Sequence, residues 1–188
     1  MPTSRNEALN TAVQCLHEGG IIAYPTEAVF GLGCDPDNDV ALQRLLALKQ
    51  RPAHKGLILV AANMEQLRPY LEPLADAVMQ KIQASWPGPV TWLCPAKATV
   101  STLLRGEHNT LAVRVSAHPV VQQLCQLYGK PLVSTSANIS TAAPATTAAA
   151  VQDIFADAID FIVPGELGGD ATPTEIRDAL TNVIIRPA

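Results

Sequence analysis

The chain has 188 residues, of which 48% are hydrophobic and 16% charged, with a formal net charge of −4. That length suits one large domain or two small ones and buries a core without help from a disulfide or metal. The composition excludes disorder, 11 Gly and 15 scattered Pro exclude collagen and coiled coil, and no stretch approaches the ~18 apolar residues of a membrane span.

The residues before Glu7 carry no signal-peptide core, so a soluble, cytoplasmic protein is expected. Leu9, Ala12, Val13 and Leu16 recur at helical spacing and predict a helix over 7–18, stopped by Gly19-Gly20. Ile21–Tyr24 reads as a short buried strand. Asp37-Asn-Asp39 supplies a cap for a helix whose apolar side is Val40, Leu42, Leu45, Leu46 and Leu48. Pro52 restricts Arg51, so that helix ends near Gln50. Leu57–Val60 is a continuous apolar run and therefore a strand. Asn63 and Gln66 have the spacing of a capping box for a short helix. A further helix is expected over 74–84, then strands over 90–94 and 110–115. Pro119 sits at the first turn of a helix that Gly129 closes. Leu132-Val133 leads into a polar segment, Ser134–Asn138, read as a loop. A helix over 147–155 and strands over 159–163, 175–179 and 183–186 complete the chain. The short Ala/Thr-rich patch at 141–150 is too brief to separate domains. Intermingled strands and helices predict one α/β domain, residues 1–188, on a mixed sheet.

The four cysteines stand far apart and read as core residues, and the four histidines show no ligand spacing, so no structural metal is expected. Gly31-Leu-Gly33 begins like a dinucleotide fingerprint, but Pro36 replaces its third glycine; Gly129-Lys130 is followed by Pro131, which excludes a P-loop. Charge is unevenly placed. Residues 40–106 hold eight bases against three acids, and residues 131–188 hold two bases against seven acids. Clustered on one surface, such cations focus field on an anionic ligand; the alternative is that they spread over several solvated faces.

Four places can carry chemistry. Lys49 and Arg51 stand at a helix end with Lys55 nearby, free to hold phosphate and without weight in folding; the bland alternative is that they complement the helix dipole. Ser134–Asn138 offers three hydroxyls and an amide after a strand, where open α/β sheets bind ligands; the alternative is a hydrogen-bonded turn. Thr26 and Glu27 stand in another strand-end loop. Arg114 is a lone charge in an apolar strand and needs a partner, either a ligand anion or an ion pair at the sheet edge.

Together, Tyr24-Pro-Thr-Glu-Ala-Val-Phe-Gly-Leu-Gly33, Leu48-Lys-Gln-Arg-Pro52 with Lys55-Gly-Leu57, Trp86-Pro-Gly-Pro-Val-Thr91, Leu111-Ala-Val-Arg-Val115 and Pro131–Asn138 resemble the YrdC-like threonylcarbamoyl-AMP synthases, the short bacterial type in particular. The resemblance implies a twisted mixed sheet around a large concave basic cavity. It implies an enzyme, a nucleotidyltransferase that joins L-threonine, bicarbonate or CO2 and ATP, with Mg²⁺ accompanying the ATP, into threonylcarbamoyl-adenylate and pyrophosphate. Proteins of a tRNA threonylcarbamoyl-transfer complex then modify adenosine 37 of tRNAs reading ANN codons. By motif, Lys49 and Arg51 are the catalytic cations, and the ATP site takes Lys49, Arg51, Lys55, Thr110, Asn138, Thr146 and Arg186. Threonine falls to Thr26, Arg114, Ser136 and Thr174, with Glu27 a candidate orienter of the amine. No protein metal ligand is expected. Ala28 and Phe30 replace the Thr and Tyr of many relatives. With the sequence ending at Ala188, the extra C-terminal domain of the long type is not expected. The competing reading is a non-catalytic module for double-stranded RNA or tRNA, or a ribosome assembly factor; a net charge of −4 and few aromatic residues speak against it.

Overall fold

Helix α1 (Arg5–His17) begins where Ser4 and Glu7 cap each other: the Ser4 hydroxyl accepts from Glu7 N–H at 3.3 Å, and the Glu7 carboxylate accepts from Ser4 N–H at 2.7 Å. Such caps are worth about 0.5–2 kcal/mol. A computed structural model of the chain describes residues 4–169 and 174–187; of the acids counted above, Asp170 lies outside them. After α1 come β1 (Ile22–Pro25), β2 (Phe30–Gly33), α2 (Asp39–Leu48), β3 (Ile58–Ala61), α3 (Met64–Leu67), α4 (Asp76–Ala84), β4 (Val90–Pro95), α5 (Thr102–Arg105) and β5 (Thr110–Val115). Then follow α6 (Pro119–Tyr128), β6 (Leu132–Ser136), α7 (Ala148–Phe155), β7 (Phe161–Ile162), β8 (Glu175–Asp178) and β9 (Ile184–Arg186).

The strands form one sheet in the order β7-β1-β2-β6-β3-β5-β4-β8-β9. The pairs β1/β7, β3/β5 and β4/β8 are parallel and the others antiparallel, so the sheet is mixed. Alternation along each strand splits the core into two layers. On one face Ile22, Tyr24, Val60 and Leu132 pack against Leu9 and Leu16 of α1 and Val121 and Leu124 of α6. On the other, Ala23, Leu59, Val113 and Val133 pack against Leu42 and Leu45 of α2, Leu104 of α5 and Phe155 of α7. Each fully buried leucine contributes roughly 1.5–3 kcal/mol.

Two strands depart from the expectation. Phe30 and Gly31, expected within the strand-end loop that holds Thr26 and Glu27, open β2, which runs on to Gly33, and Ser134–Ser136, also expected as loop, are the last residues of β6. The two segments pair with each other, Gly31 opposite Ser136 and Leu32 opposite Thr135. Helix α5 has only four residues and carries no clear sequence period. Gly33 explains the failed nucleotide fingerprint. The Tyr24 ring packs against β2 and its hydroxyl donates to Val133 O at 3.0 Å. A Cβ on Gly33 would fall 2.3 Å from Val133 O and 2.8 Å from that ring. The glycine is there for packing.

Candidate functional site

The face that α1 and α6 cover does not end where they do. Along β6, Ser134 and Ser136 continue the side of Leu132, and along β5, Arg114 points opposite Val113 and Val115 to the same side. Small groups there, Gly31, Ser134 and Ser136, leave a cavity of about 420 Å³. Its walls are the β1–β2 turn at Thr26–Val29, Arg51 and Leu57 from the α2–β3 connection, Pro144 and Thr146 after β6, and Thr174 and Arg186 from the last hairpin.

Seven of the eleven expected site residues line this cavity: Thr26, Arg51, Arg114, Ser136, Thr146, Thr174 and Arg186. Four do not. Lys55 is exposed on the α2–β3 connection and Thr110 stands at the far end of β5, paired with Pro95. Asn138 spends its side chain on its own loop, donating to Ile139 O and Ala142 O and accepting from Ser136 Oγ at 2.6 Å. Lys49 is the largest correction. It is not a free cation at a helix end but is 2% exposed. Its ammonium donates to Ser136 O, to Asn138 O at 2.7 Å and to Asn138 Oδ1 at 3.2 Å, so it stands behind the cavity wall and fastens it. Burial, with Arg51 adding repulsion, pulls its pKa down to about 8.

Arg51 donates from Nε and Nη2 to Gly56 O at 3.1 and 2.9 Å, which fixes its plane at the cavity wall. Burial lowers its pKa. Arg186 donates to Thr174 O at 2.7 Å, and its pKa is lowered by burial and by the nearby Arg114. Three guanidiniums converging on one cavity, two of them disfavoured by burial, make a site for an anion. Arg114 lies 3.1 Å from Glu27, and both are 6% exposed. Its strand is interior to the sheet, so the expected sheet-edge pair is instead a buried pair at the cavity wall, and the two readings of Arg114 coexist.

The hydroxyls have the opposite polarity. Thr26 Oγ1 donates to Val29 O at 2.7 Å and Ser136 Oγ donates to Asn138 Oδ1. With their protons spent, both meet a ligand as acceptors. Glu27 is the one carboxylate among the described lining residues, and Ser116 Oγ donates to it at 2.6 Å. Ser116 was missed; nothing in the sequence marks it beyond its place after β5. Among the described residues no group of three His, Cys, Asp or Glu converges as a metal site, and Glu27, already engaged by Ser116 and Arg114, does not fit a resident cation. No helix among them is long and apolar enough to cross a membrane.

The chain is similar to known proteins over nearly its whole length. Threonylcarbamoyl-AMP synthase of Photobacterium profundum is 52% identical over 180 residues, covering 95% of this chain and 97% of that protein. The protein of the same name from Escherichia coli O1:K1 is 54% identical over 184 residues, covering 97% and 96%. Among solved structures, P. abyssi Sua5 complexed with L-threonine superposes with a TM-score of 0.89 at 31% identity over 95% of this chain, which spans only 53% of the longer Sua5 chain. E. coli YciO gives 0.80 at 26% identity, covering 95% and 88%. The family model described as telomere recombination, Sua5/YciO/YrdC, matches residues 14–188, and the chain belongs to that family.

Proposed function

We propose that the cavity joins L-threonine, bicarbonate or CO2 and ATP into threonylcarbamoyl-adenylate and pyrophosphate, as a nucleotidyltransferase. The observation that carries this reading is the pairing of opposite polarities in one cavity: guanidiniums for anions, and hydroxyls that can only accept. A hydroxy amino acid beside a polyphosphate satisfies both. Arg114 takes the threonine carboxylate, and Thr26, Ser136 and Thr174 accept from its hydroxyl and amine. Arg51, Thr146 and Arg186 hold the nucleotide, whose Mg²⁺ arrives with it as part of the substrate. Lys49 adds charge from behind the Ser136–Asn138 wall.

The threonine amine, once its ammonium proton has gone to solvent, attacks CO2 and releases a second proton to form a carbamate; starting from bicarbonate, water leaves instead. A carbamate oxygen then attacks the α-phosphorus and pyrophosphate leaves. No covalent enzyme intermediate is required, so alignment and fixed positive charge do the work. The product is a mixed anhydride and needs an acceptor; proteins that transfer its threonylcarbamoyl group to tRNA adenosine are the natural consumers, in the cytoplasm.

The test is incubation of the protein with ATP, bicarbonate and labelled L-threonine, with the adenylate read by mass. Its absence overturns the reading. A second check is selectivity. A site that hydrogen-bonds a hydroxyl strongly rejects an analogue lacking it. L-threonine should bind at least about 100-fold more tightly than L-valine, with L-serine between them; calorimetry giving equal affinities would remove threonine as substrate.

A further inference from the structure

We propose that Glu27, oriented by Ser116, is a positioning residue that sets the Arg114 guanidinium for a carboxylate ligand and keeps that arginine from serving the polyphosphate. The inference rests on the cavity being the site for threonine and ATP.

The Glu27–Arg114 contact is a single point, Oε2 to Nη2 at 3.1 Å, not a two-pronged fork. Among the described residues, Arg114 Nε is buried with no hydrogen bond, and Glu27 Oε2 accepts none of good geometry. A purely structural pair would use both prongs. Nε is as enclosed as Oε2, so the donor capacity that the pair leaves for a ligand is at the terminal nitrogens, where Arg114 lines the cavity.

What holds the carboxylate still is a chain of oriented groups. Ser116 Oγ accepts from His118 N–H at 3.1 Å, so its one proton goes to Glu27 Oε1 at 2.6 Å. Ser116 N–H donates to Ala61 O at 3.1 Å and ties the group to β3. His118 Nδ1 accepts from Val120 N–H at 3.3 Å; its proton is therefore on Nε2, which donates to Glu166 O at 3.1 Å. Gly168 N–H donates to Thr26 O at 3.0 Å, and a Cβ there would come within 3.0 Å of Glu27 Cα. Strand end, helix start and the 164–169 segment thus close on one carboxylate. Supporting groups of this kind hold a binding side chain in its productive geometry.

Glu27 is poorly placed to take the ammonium itself, because Oε1 already has a donor and Oε2 is closed off. Its charge has a second effect. Arg114 is compensated, whereas among the described residues Arg51 and Arg186 donate only to neutral carbonyls. A compensated guanidinium suits a single carboxylate, and uncompensated ones suit phosphates.

The experiment measures L-threonine and MgATP dissociation constants separately, with melting temperatures, for wild type, Glu27→Gln, Ser116→Ala, Arg114→Lys and the Glu27→Gln/Arg114→Lys double variant. Glu27→Gln should weaken threonine at least about 10-fold while MgATP binds as well as or better than in wild type. Ser116→Ala removes no charge and should weaken threonine about 3- to 5-fold. In the Arg114→Lys background, Glu27→Gln should add less than about 2-fold, because it acts through the arginine. Wild-type threonine affinity in both single variants overturns the inference, as does a fully additive loss in the double variant, which would make Glu27 a direct ligand of the amine. If Glu27→Gln does not fold, Ser116→Ala decides alone, by the split between threonine and MgATP. A wild type that makes no adenylate removes the functional reading instead, a distinct result.

Discussion

Lys49 shows at the scale of one residue how a local sequence signal points to the right region and the wrong exposure. Basic residues at a helix end are ordinarily solvated. This one is buried against three oxygens with no carboxylate beside it among the described residues, and its pKa falls from 10.5 to about 8. The sign of the resulting pH dependence is fixed. Between about 8 and 10.5 the unfolded chain holds the proton that the folded chain has lost, so Lys49's contribution to stability rises with pH across that window. It is fully present above 10.5 and lost as pH falls through about 8. The span corresponds to as much as about 3 kcal/mol. Buried Cys34, Cys94 and Cys125 and half-buried Cys15, whose thiol pKa values burial raises from 9.0, pull stability down over the upper part of the same window in any variant, so the Lys49 contribution is read as a difference. In urea unfolding, the stability of wild type relative to Lys49→Met should be higher at pH 10 than at pH 7.5; identical pH dependence in the two would show that Lys49 titrates normally. An anion bound next to the wall favours the charged form, so MgATP binding at pH 8.5 should take up protons. Calorimetry in buffers of different ionisation heat reads that uptake directly, and Lys49→Met should lose it.

At the scale of elements, α2 ends in a way that aims Arg51. Gln50 has φ = 50°, in the left-handed region, with Gln50 N–H on Ala47 O and Arg51 N–H on Leu46 O. Glycine usually fills this cap, because a side chain in the left-handed region costs about 1–2 kcal/mol. Gln50→Gly should therefore stabilise the protein by up to about 1 kcal/mol after the added flexibility of glycine is subtracted. The same flexibility should loosen Arg51 and weaken MgATP. A melting temperature below wild type would contradict this account. Gly33→Ala should act in the other direction. Its methyl meets the fixed Val133 carbonyl and the Tyr24 ring, and overpacking of this kind costs about 1–3 kcal/mol; equilibrium unfolding measures it. These elements also mark what was readable beforehand. Helices α1, α2 and α6 were legible because an apolar stripe agrees with a boundary signal, the Gly19-Gly20 stop, the Asp37–Asp39 cap and Pro119 in the first turn; the Ser4 cap of α1 went unread. Strand β5 was legible by its alternation. Strand β2 and the second half of β6 were not, since Phe-Gly-Leu-Gly and Ser-Thr-Ser have the composition of turns and become strand by pairing with each other. The cavity residues stood out for different reasons, Thr26 and Ser136 as hydroxyls in strand-end loops, Arg51 as a cation at a helix end and Arg114 as a lone charge in an apolar strand, whereas Ser116 was hidden because its role depends on contacts with Glu27 and His118 that only the folded chain assembles.

The whole molecule is acidic, yet its cavity is not. A chain of net charge −4 places Arg51, Arg114 and Arg186 around one volume of about 420 Å³ whose only described carboxylate is Glu27. The sheet makes this possible. Arg114 comes from an interior strand, Arg51 from a helix-to-strand connection and Arg186 from the edge strand β9, so the charges converge only once the order β6-β3-β5-β4-β8-β9 is complete. The two substrates should report this field differently. MgATP carries net negative charge and threonine is a zwitterion with none. Screening shortens the Debye length from about 10 Å at 0.1 M salt to a few ångströms near 1 M. Raising potassium chloride from about 0.05 to about 0.5 M should therefore weaken MgATP several-fold and change threonine by less than about 2-fold. Arg186→Gln removes an uncompensated charge and should reduce the salt dependence of MgATP while leaving that of threonine alone. Parallel salt curves for the two substrates would mean that the guanidiniums do not divide their work between carboxylate and phosphate. A steep MgATP curve that Arg186→Gln leaves unchanged would assign the phosphates to Arg51, on the wall formed by the α2–β3 connection.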